Sequence, residues 1–137
     1  MKAGLALASM LLVLFAKTAV ALEPRPSEGD PIPKGVSSDA TYGYSESNPI
    51  RVGRLNGGPR DSELFLSSLA GPVGQRVKFK RLGSCCSFET PNAWVGGKAP
   101  LDRYEVKYRG LKQPAILYLD IYDYEPPKVP IGFTSAK

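Results

Sequence analysis

Hydrophobic and polar residues alternate in three segments of the second half of the chain. In "QRVKFKRLG" (residues 75–83), Val77 and Phe79 fall on one face and basic residues on the other. "LDRYEVKYRG" (101–110) alternates aromatic or apolar residues with charged ones in the same way. "PAILYLDIYDY" (114–124) puts most of its aliphatic residues on one face, and a row of tyrosines together with Ile116 on the other. A period of two predicts β-strands with one face against a core.

A different pattern, typical of a helix, occupies "GGPRDSELFLSSLAGP" (residues 57–72). Pro59 suits the first helical position, where no backbone N–H is needed. Asp61 lies in the first turn, where the helix dipole favours negative charge. Gly71 and Pro72 predict the end after about three turns. The apolar side chains predicted to share one face are Leu64, Phe65 and Leu69.

Together these elements predict an α+β fold, an antiparallel sheet of about four to five strands with one helix packed on one face. The hairpin-like spacing of the last strands favours the antiparallel order. Short apolar segments at 48–53 and 129–135 are predicted to add edge strands. We expect one domain over residues 41–137, preceded by a flexible proline-rich leader over residues 22–40.

The first 21 residues have the pattern of a secretory signal peptide. Lys2 precedes an apolar run from Ala3 to Ala16, and "AVA" at residues 19–21 fits the small-x-small cleavage rule. Cleavage is therefore predicted after Ala21, which indicates export. No later segment is apolar enough to span a membrane.

The composition of the chain limits the partners, catalytic groups and metal ligands that it could have. Loss of Lys2 and Lys17 with the signal lowers the formal net charge from +5 to +3, so we expect no nucleic-acid partner. The chain has no histidine, and both methionines, Met1 and Met10, lie in the signal. This excludes Ser-His-Asp and Cys-His nucleophiles and histidine-ligated metals. We expect no cofactor and no metal; catalysis would need carboxylates, lysine, tyrosine or cysteine.

The two cysteines of the chain, Cys85 and Cys86, are neighbours. Three states are open to them: a vicinal disulfide ring, two free thiols, or disulfides to a second chain. Neighbouring Cα atoms lie about 3.8 Å apart, whereas ordinary disulfides hold them about 4.4–6.8 Å apart. A vicinal ring would therefore distort the intervening peptide and be easier to reduce.

Aromatic residues supply the other binding candidates. The tyrosine-bearing face of residues 114–124 has the rigid, polar-tipped side chains common in binding surfaces, although aromatic residues also favour strands for packing alone. Trp94, the single tryptophan, is either a ligand contact or a lid over the sheet. The basic face of residues 76–81 meets either an anionic partner or solvent. The candidate binding residues are Cys85, Cys86, Trp94, Tyr118, Asp120, Tyr122 and Tyr124.

Three motifs resemble those of a family of small exported bacterial proteins. They are "YGYSESNPIRVG" (42–53), "RLGSCC" (81–86) and "LYLDIYDY" (117–124), in that order. The resemblance covers nearly all of the chain from about Thr41. It implies a bacterial source, and hence the periplasm or cell envelope. It also implies that Cys85-Cys86 and the Tyr-Asp-Tyr end belong together.

Members of this family often carry the label 2-dehydro-3-deoxyphosphooctonate aldolase. The synthase of that sugar acid is a (β/α)₈ barrel of about 250 residues. A chain of 137 residues with one predicted helix is too short to close such a barrel. The resemblance therefore transfers no activity and no catalytic residues to this chain.

These observations favour a non-enzymatic exported protein that binds an envelope protein or a small ligand. The first alternative is a small enzyme that uses the thiol–disulfide chemistry of Cys85 and Cys86 or the carboxylates of Asp120 and Asp123. The second is an inhibitor or immunity-type protein that blocks an envelope enzyme, an idea based on analogy of size and fold.

Overall fold

The structure, a computed structural model, describes Gly4 and residues 31–54 and 58–137. The predicted signal peptide, apart from Gly4, and the first part of the predicted leader lie outside the described residues. In chain order the elements are β1 (Ile50–Arg51), α1 (Pro59–Ser67), β2 (Leu69–Ala70), β3 (Val77–Glu89), β4 (Lys98–Tyr108), β5 (Ala115–Asp120) and β6 (Thr134–Ser135).

The described part of the chain forms an α+β fold around a four-stranded sheet in the order β1-β5-β4-β3. The strands β3, β4 and β5 are antiparallel neighbours, as their hairpin spacing predicts. β1 instead runs parallel to β5, so the prediction of a purely antiparallel sheet was wrong. Parallel neighbours need a long connection between them, and here α1, β2, β3 and β4 provide it. A two-residue strand has too little pattern to reveal its direction.

The predicted edge strand near the C-terminus also pairs elsewhere. β6 does not join the four-stranded sheet but forms a separate antiparallel pair with β2. Thr134 strengthens this pair because its Oγ1 donates a hydrogen bond to the carbonyl of Gly71 at 2.7 Å. β2 follows directly on α1, so this pair takes over the stretch that the sequence assigned to the last helical turn.

The helix begins at Pro59 as predicted but ends at Ser67, one turn early. Ser68 caps it: its backbone N–H and its hydroxyl both donate to the carbonyl of Phe65. The predicted apolar face is also corrected, because Leu64 is exposed and Leu66 is fully buried. The buried stripe of Asp61, Ser62, Phe65 and Leu66 has the three- and four-residue spacing of one helix face.

One hydrophobic core joins the helix, the sheet and the C-terminal segment. The aliphatic positions predicted to face inward on β5 do so, and Val77 and Phe79 of β3 pack against the same core. The buried members of the core are Ile50, Val52, Phe65, Leu66, Leu69, Tyr104, Val106, Leu117, Leu119, Ile121, Val129 and Phe133.

Residues 31–40, which belong to the stretch predicted as a leader, pair with the C-terminal segment. The N–H of Lys34 donates to the carbonyl of Pro127 at 3.0 Å, and the N–H of Ser37 donates to that of Val129 at 2.8 Å. Val36 and Val129 form a parallel bridge. Among the described residues, no helix has the length and apolar character needed to cross a membrane.

Candidate functional site

Cys85 and Cys86 form a disulfide with each other, with an S–S distance of 2.10 Å and a Cα–Cα distance of 3.7 Å. This is the first of the three states that the sequence leaves open. Both residues are half-buried and lie within β3, a strand at the edge of the sheet.

The disulfide changes the path of β3. Successive side chains of a regular strand point to opposite faces, so two neighbouring sulfurs cannot meet unless one residue leaves the extended conformation. Cys86 does so: its φ is 56°, and it is the sole non-glycine residue with positive φ in the described part of the chain. Cys85 lies opposite Leu101 and Phe88 opposite Ala99, so two residues of β3 oppose one residue of β4 between these pairs. The disulfide therefore sits in a β-bulge.

Beyond the bulge, three aromatic rings form a connected cluster. Phe88 contacts Tyr122 edge-to-face with ring centroids 6.4 Å apart, and Trp94 contacts the same tyrosine at 5.1 Å. Edge-to-face pairs at these distances are favourable by about 0.5–1.5 kcal/mol each. The cluster joins the end of β3, the β3–β4 loop and the segment after β5. Its outer member, Trp94, is 72% exposed, and Val95 beside it is 82% exposed.

A polar network fixes the loop that carries Trp94. Asp123 Oδ1 accepts a hydrogen bond from the hydroxyl of Thr90 at 2.6 Å and another from the side-chain amide of Asn92 at 2.8 Å. The carbonyl of Asp123 accepts the N–H of Gly53 at 2.9 Å. Because Asp123 and Tyr122 are neighbours, the same segment holds both the rings and the loop in place.

Asp120, which the sequence placed on the tyrosine-bearing face of residues 114–124, is completely buried. β5 ends there, so the alternation predicted to reach Tyr124 stops at residue 120. Asp120 Oδ1 accepts the backbone N–H groups of Tyr122 at 2.8 Å and Asp123 at 3.0 Å. Its Oδ2 lies 4.0 Å from Nε of Arg51. Asp120 therefore shapes the turn that presents Tyr122 and does not reach the surface.

Burial raises the pKa of Asp120 to about 6, against the two backbone hydrogen bonds, which act to lower it. The neighbouring carboxylate of Asp123 raises it further. The pKa of Tyr122 is also raised, first by burial and then by the charges of Asp102 and Asp120. Tyr122 is therefore a neutral phenol at physiological pH.

The structure does not gather all the predicted site residues in one place. Trp94 and Tyr122 contact each other directly, and Phe88, two residues after Cys86, contacts Tyr122. The described ring contacts of this cluster involve neither Tyr118 nor Tyr124. Tyr118 lies in β5 opposite Arg103. Tyr124 forms an isolated bridge with Val52 at the sheet edge.

On the N-terminal side of the disulfide in β3, the charged side chain of Arg81 forms two hydrogen bonds. The guanidinium of Arg81 donates to Asp102 Oδ1 at 2.9 Å and to the hydroxyl of Ser84 at 2.8 Å. These contacts fix the segment just before Cys85, where β3 has a second irregularity between Arg81 and Gly83. The other basic residues of β3 that the sequence placed on one face, Lys78 and Lys80, are exposed.

A groove lies away from this cluster. It measures about 880 Å³, runs between the β2–β6 pair and the start of β3, and contains none of the predicted site residues. A smaller depression of about 430 Å³ lies at the base of the β3–β4 loop, between residues 89–91 and 96–98. The described residues contain no group of three acidic or cysteine side chains arranged to hold a metal ion.

Sequence reasoning missed three contributors to the cluster: Phe88, Thr90 and Asn92. Phe88 is placed by the bulge, and a bulge gives no periodic signal. Thr90 and Asn92 act through contacts to Asp123, more than 30 residues later in the chain.

Comparison with known proteins identifies no relative of this chain. No protein-family model matches this chain, and neither a curated protein nor a solved structure is detectably similar to it.

Proposed function

We propose that this chain is an exported, non-enzymatic binding protein of the periplasm or cell envelope. It binds its partner through a surface that we call the aromatic tip, made of Phe88, Trp94, Val95 and Tyr122. The vicinal disulfide borders this surface through the bulge next to Phe88. The partner is an envelope protein or a small ligand.

The exposure of Trp94 carries this proposal. A tryptophan that is 72% exposed, next to a valine that is 82% exposed, leaves a large apolar area in water at the end of a hairpin. Tryptophan is enriched among the few residues that supply most of the binding energy of protein interfaces. A contiguous exposed apolar patch is a typical sign of an interaction site.

The support beneath Trp94 favours binding as well. Tyr122 backs its ring, and the hydrogen bonds to Asp123 hold the loop, so little conformational freedom remains to be lost when a partner binds. Loops that merely connect two strands do not need such a network.

The carboxylate-based alternative fits the geometry less well. A general acid must reach the proton of its substrate, and Asp120 is fully buried with its Oδ1 engaged by two backbone N–H groups. Asp123 Oδ1 is likewise engaged by Thr90 and Asn92. An inhibitor or immunity role would use the same aromatic tip, with an envelope enzyme as the partner.

Photocrosslinking tests the proposal. A photoreactive amino acid at position 95, in cells that export the protein, should yield a defined adduct. The same amino acid at Val73 is the matched control, because Val73 is 84% exposed but lies in the β2–β3 connection. Once the adduct identifies the partner, Trp94→Ala should raise its Kd at least tenfold, while Val73→Ser leaves it unchanged. Equal adducts at both positions, or an unchanged Kd for Trp94→Ala, would reject the proposal.

Export is tested separately by the intact mass of the protein from the source cells. Cleavage after Ala21 predicts a chain that begins at Leu22. A chain that retains residues 1–21 would contradict export by a cleaved signal.

A further inference from the structure

We propose that Cys85–Cys86 is a redox-modification site whose state decides whether the aromatic tip is assembled, and that its reaction partner is a dithiol. The inference rests on the proposed function only in taking the aromatic tip to be the surface that binds a partner. The coupling between the disulfide and the tip is argued from the geometry of β3.

The first step concerns the backbone of Cys86. A φ of 56° places this L-residue in the left-handed region, which is unfavourable for a side chain with a Cβ. Such a conformation persists only where the surrounding structure enforces it. The bond to the neighbouring sulfur does so here, since an extended Cys86 would point its sulfur to the opposite face of the strand.

The second step concerns register. With the bulge present, Phe88 lies opposite Ala99. If β3 continued from the Cys85–Leu101 pair without a bulge, Ser87 and not Phe88 would lie opposite Ala99. A one-residue change of register reverses the face of every side chain that follows. Phe88 would then leave the face on which it contacts Tyr122.

The third step follows the ring contacts outward. Tyr122 is the common neighbour of Phe88 and Trp94. Removal of Phe88 takes away one of the two rings that pack against Tyr122, and the loop after Phe88 carries Trp94. Opening the disulfide therefore alters the surroundings of Trp94, although Trp94 lies eight positions after Cys86 in the sequence.

The chemistry is an ordinary thiol–disulfide exchange. A thiolate of the dithiol attacks one sulfur of Cys85–Cys86, a mixed disulfide forms, and the other cysteine sulfur leaves as a thiolate. The second thiol of the reductant then displaces the remaining cysteine sulfur. Two electrons pass to the protein, the dithiol becomes a disulfide, and its two protons end on Cys85 and Cys86. Both cysteines are half-buried on an edge strand, so a reductant can approach them from the side that has no neighbouring strand in the four-stranded sheet.

The single tryptophan makes the coupling measurable without any binding partner. The oxidised protein is titrated with dithiothreitol under native conditions while intact mass, alkylation and Trp94 fluorescence are recorded. We expect a gain of two hydrogens, uptake of two alkyl groups, and a change of the Trp94 emission with the same midpoint as the reduction. Reoxidation should restore the original spectrum.

Two variants make the result specific. The Cys85→Ser/Cys86→Ser protein should show the emission of the reduced wild type and no response to dithiothreitol. Phe88→Leu should still be reduced, but the accompanying change in Trp94 emission should be lost or strongly diminished. If a variant fails to fold, hydrogen exchange of the wild type replaces it: reduction should speed the exchange of amides 86–99 and leave those of 115–120 unchanged.

Two outcomes would overturn the inference. One is a disulfide that is reduced with no change in Trp94 emission or in the exchange of amides 86–99. The other is a disulfide that resists a large excess of dithiothreitol in the folded protein. Neither readout involves a partner, so failure here leaves the photocrosslinking test of the binding function standing, and a failure of that test leaves this one standing.

Discussion

At the scale of single residues, Asp120 connects the fold to the candidate site. Its carboxylate is buried, and it holds the backbone of Tyr122 and Asp123 in the turn that follows β5. Arg51, whose Nε lies 4.0 Å from Oδ2, compensates only part of the cost of burying this charge. The pKa of Asp120 is raised to about 6 because the rest of this cost is not compensated.

The first prediction uses this pKa. A carboxyl whose pKa rises from 3.8 in the unfolded chain to about 6 on folding favours the folded state below pH 4, and this contribution is lost as pH rises through 6. Asp120→Asn keeps an oxygen for the two N–H groups and removes the titration. We expect the variant to match the wild type near pH 4 and to be more stable by about 2–3 kcal/mol above pH 7.

Urea unfolding at a series of pH values measures this difference, and Glu46→Gln, at an exposed position, is the control that should show no such trend. If Asp120→Asn differs from the wild type by the same amount at pH 4 and pH 7.5, Asp120 does not titrate between these pH values in the folded protein and the prediction is wrong.

A second prediction at this scale concerns Gly53. A Cβ built there would lie 2.3 Å from the backbone carbon of Ile121 and 2.5 Å from the nitrogen of Tyr122. Neither atom can move without shifting the turn, so Gly53→Ala should destabilise the protein by about 3 kcal/mol or more and alter the near-ultraviolet circular dichroism of the aromatic tip. Gly35→Ala meets no atom within 4 Å and should cost only about 1 kcal/mol, for its left-handed backbone.

At the scale of elements, the helix shows which sequence signals are dependable. Its start was predictable because Pro59 and Asp61 act locally. Its end was not, because the residues after Ser67 form β2 with a strand that lies more than 60 residues later. The face was misassigned at one position for a related reason: Leu64 and Leu66 are equally apolar, and only the packing against the core distinguishes them.

This distinction gives a third prediction. Leu66→Ala should lower the free energy of unfolding by about 2–5 kcal/mol, because it leaves a cavity in the core. Leu64→Ala, the same substitution at a position that is 40% exposed, should cost less than about 1 kcal/mol. Chemical denaturation of the two variants provides the comparison. Equal losses would mean that the helix is rotated relative to the structure described here.

Some features of the strands were likewise predictable from the sequence, and others were not. The interior faces of β3, β4 and β5 followed from simple alternation, since period two is a local property. The bulge before Phe88 did not, because the sequence left open whether Cys85 and Cys86 bond to each other. The parallel direction of β1 did not either, because it depends on a contact between distant segments. For the same reason the sequence indicated Trp94 and Tyr122 separately, while Phe88 and the Asp123 network that unite them emerged only with the fold.

At the scale of the whole molecule, the segment of residues 31–40 closes the structure against the C-terminal segment. Its hydrogen bonds to Pro127 and Val129 involve no residue of the aromatic tip, so we expect them to contribute to stability and not to binding. Pro31 and Pro33 of this segment are buried.

The fourth prediction compares two shortened chains, one that begins at Pro31 and one that begins at Thr41. The second lacks the pairing with residues 127–129 and should unfold about 5–10 °C lower, which corresponds to a loss of about 1–2 kcal/mol in a domain of this size. Differential scanning calorimetry measures both midpoints. Identical midpoints would mean that these contacts contribute nothing to stability.

The sequence separation of one between the bonded cysteines has a thermodynamic consequence for the entire protein. A disulfide between distant residues stabilises a fold by restricting the unfolded chain, and the effect grows with the length of the loop that it closes. The Cys85–Cys86 ring closes no loop, so it takes almost no entropy from the unfolded ensemble. Global stability therefore comes from the core, and we expect reduction of the ring to leave the rest of the molecule folded.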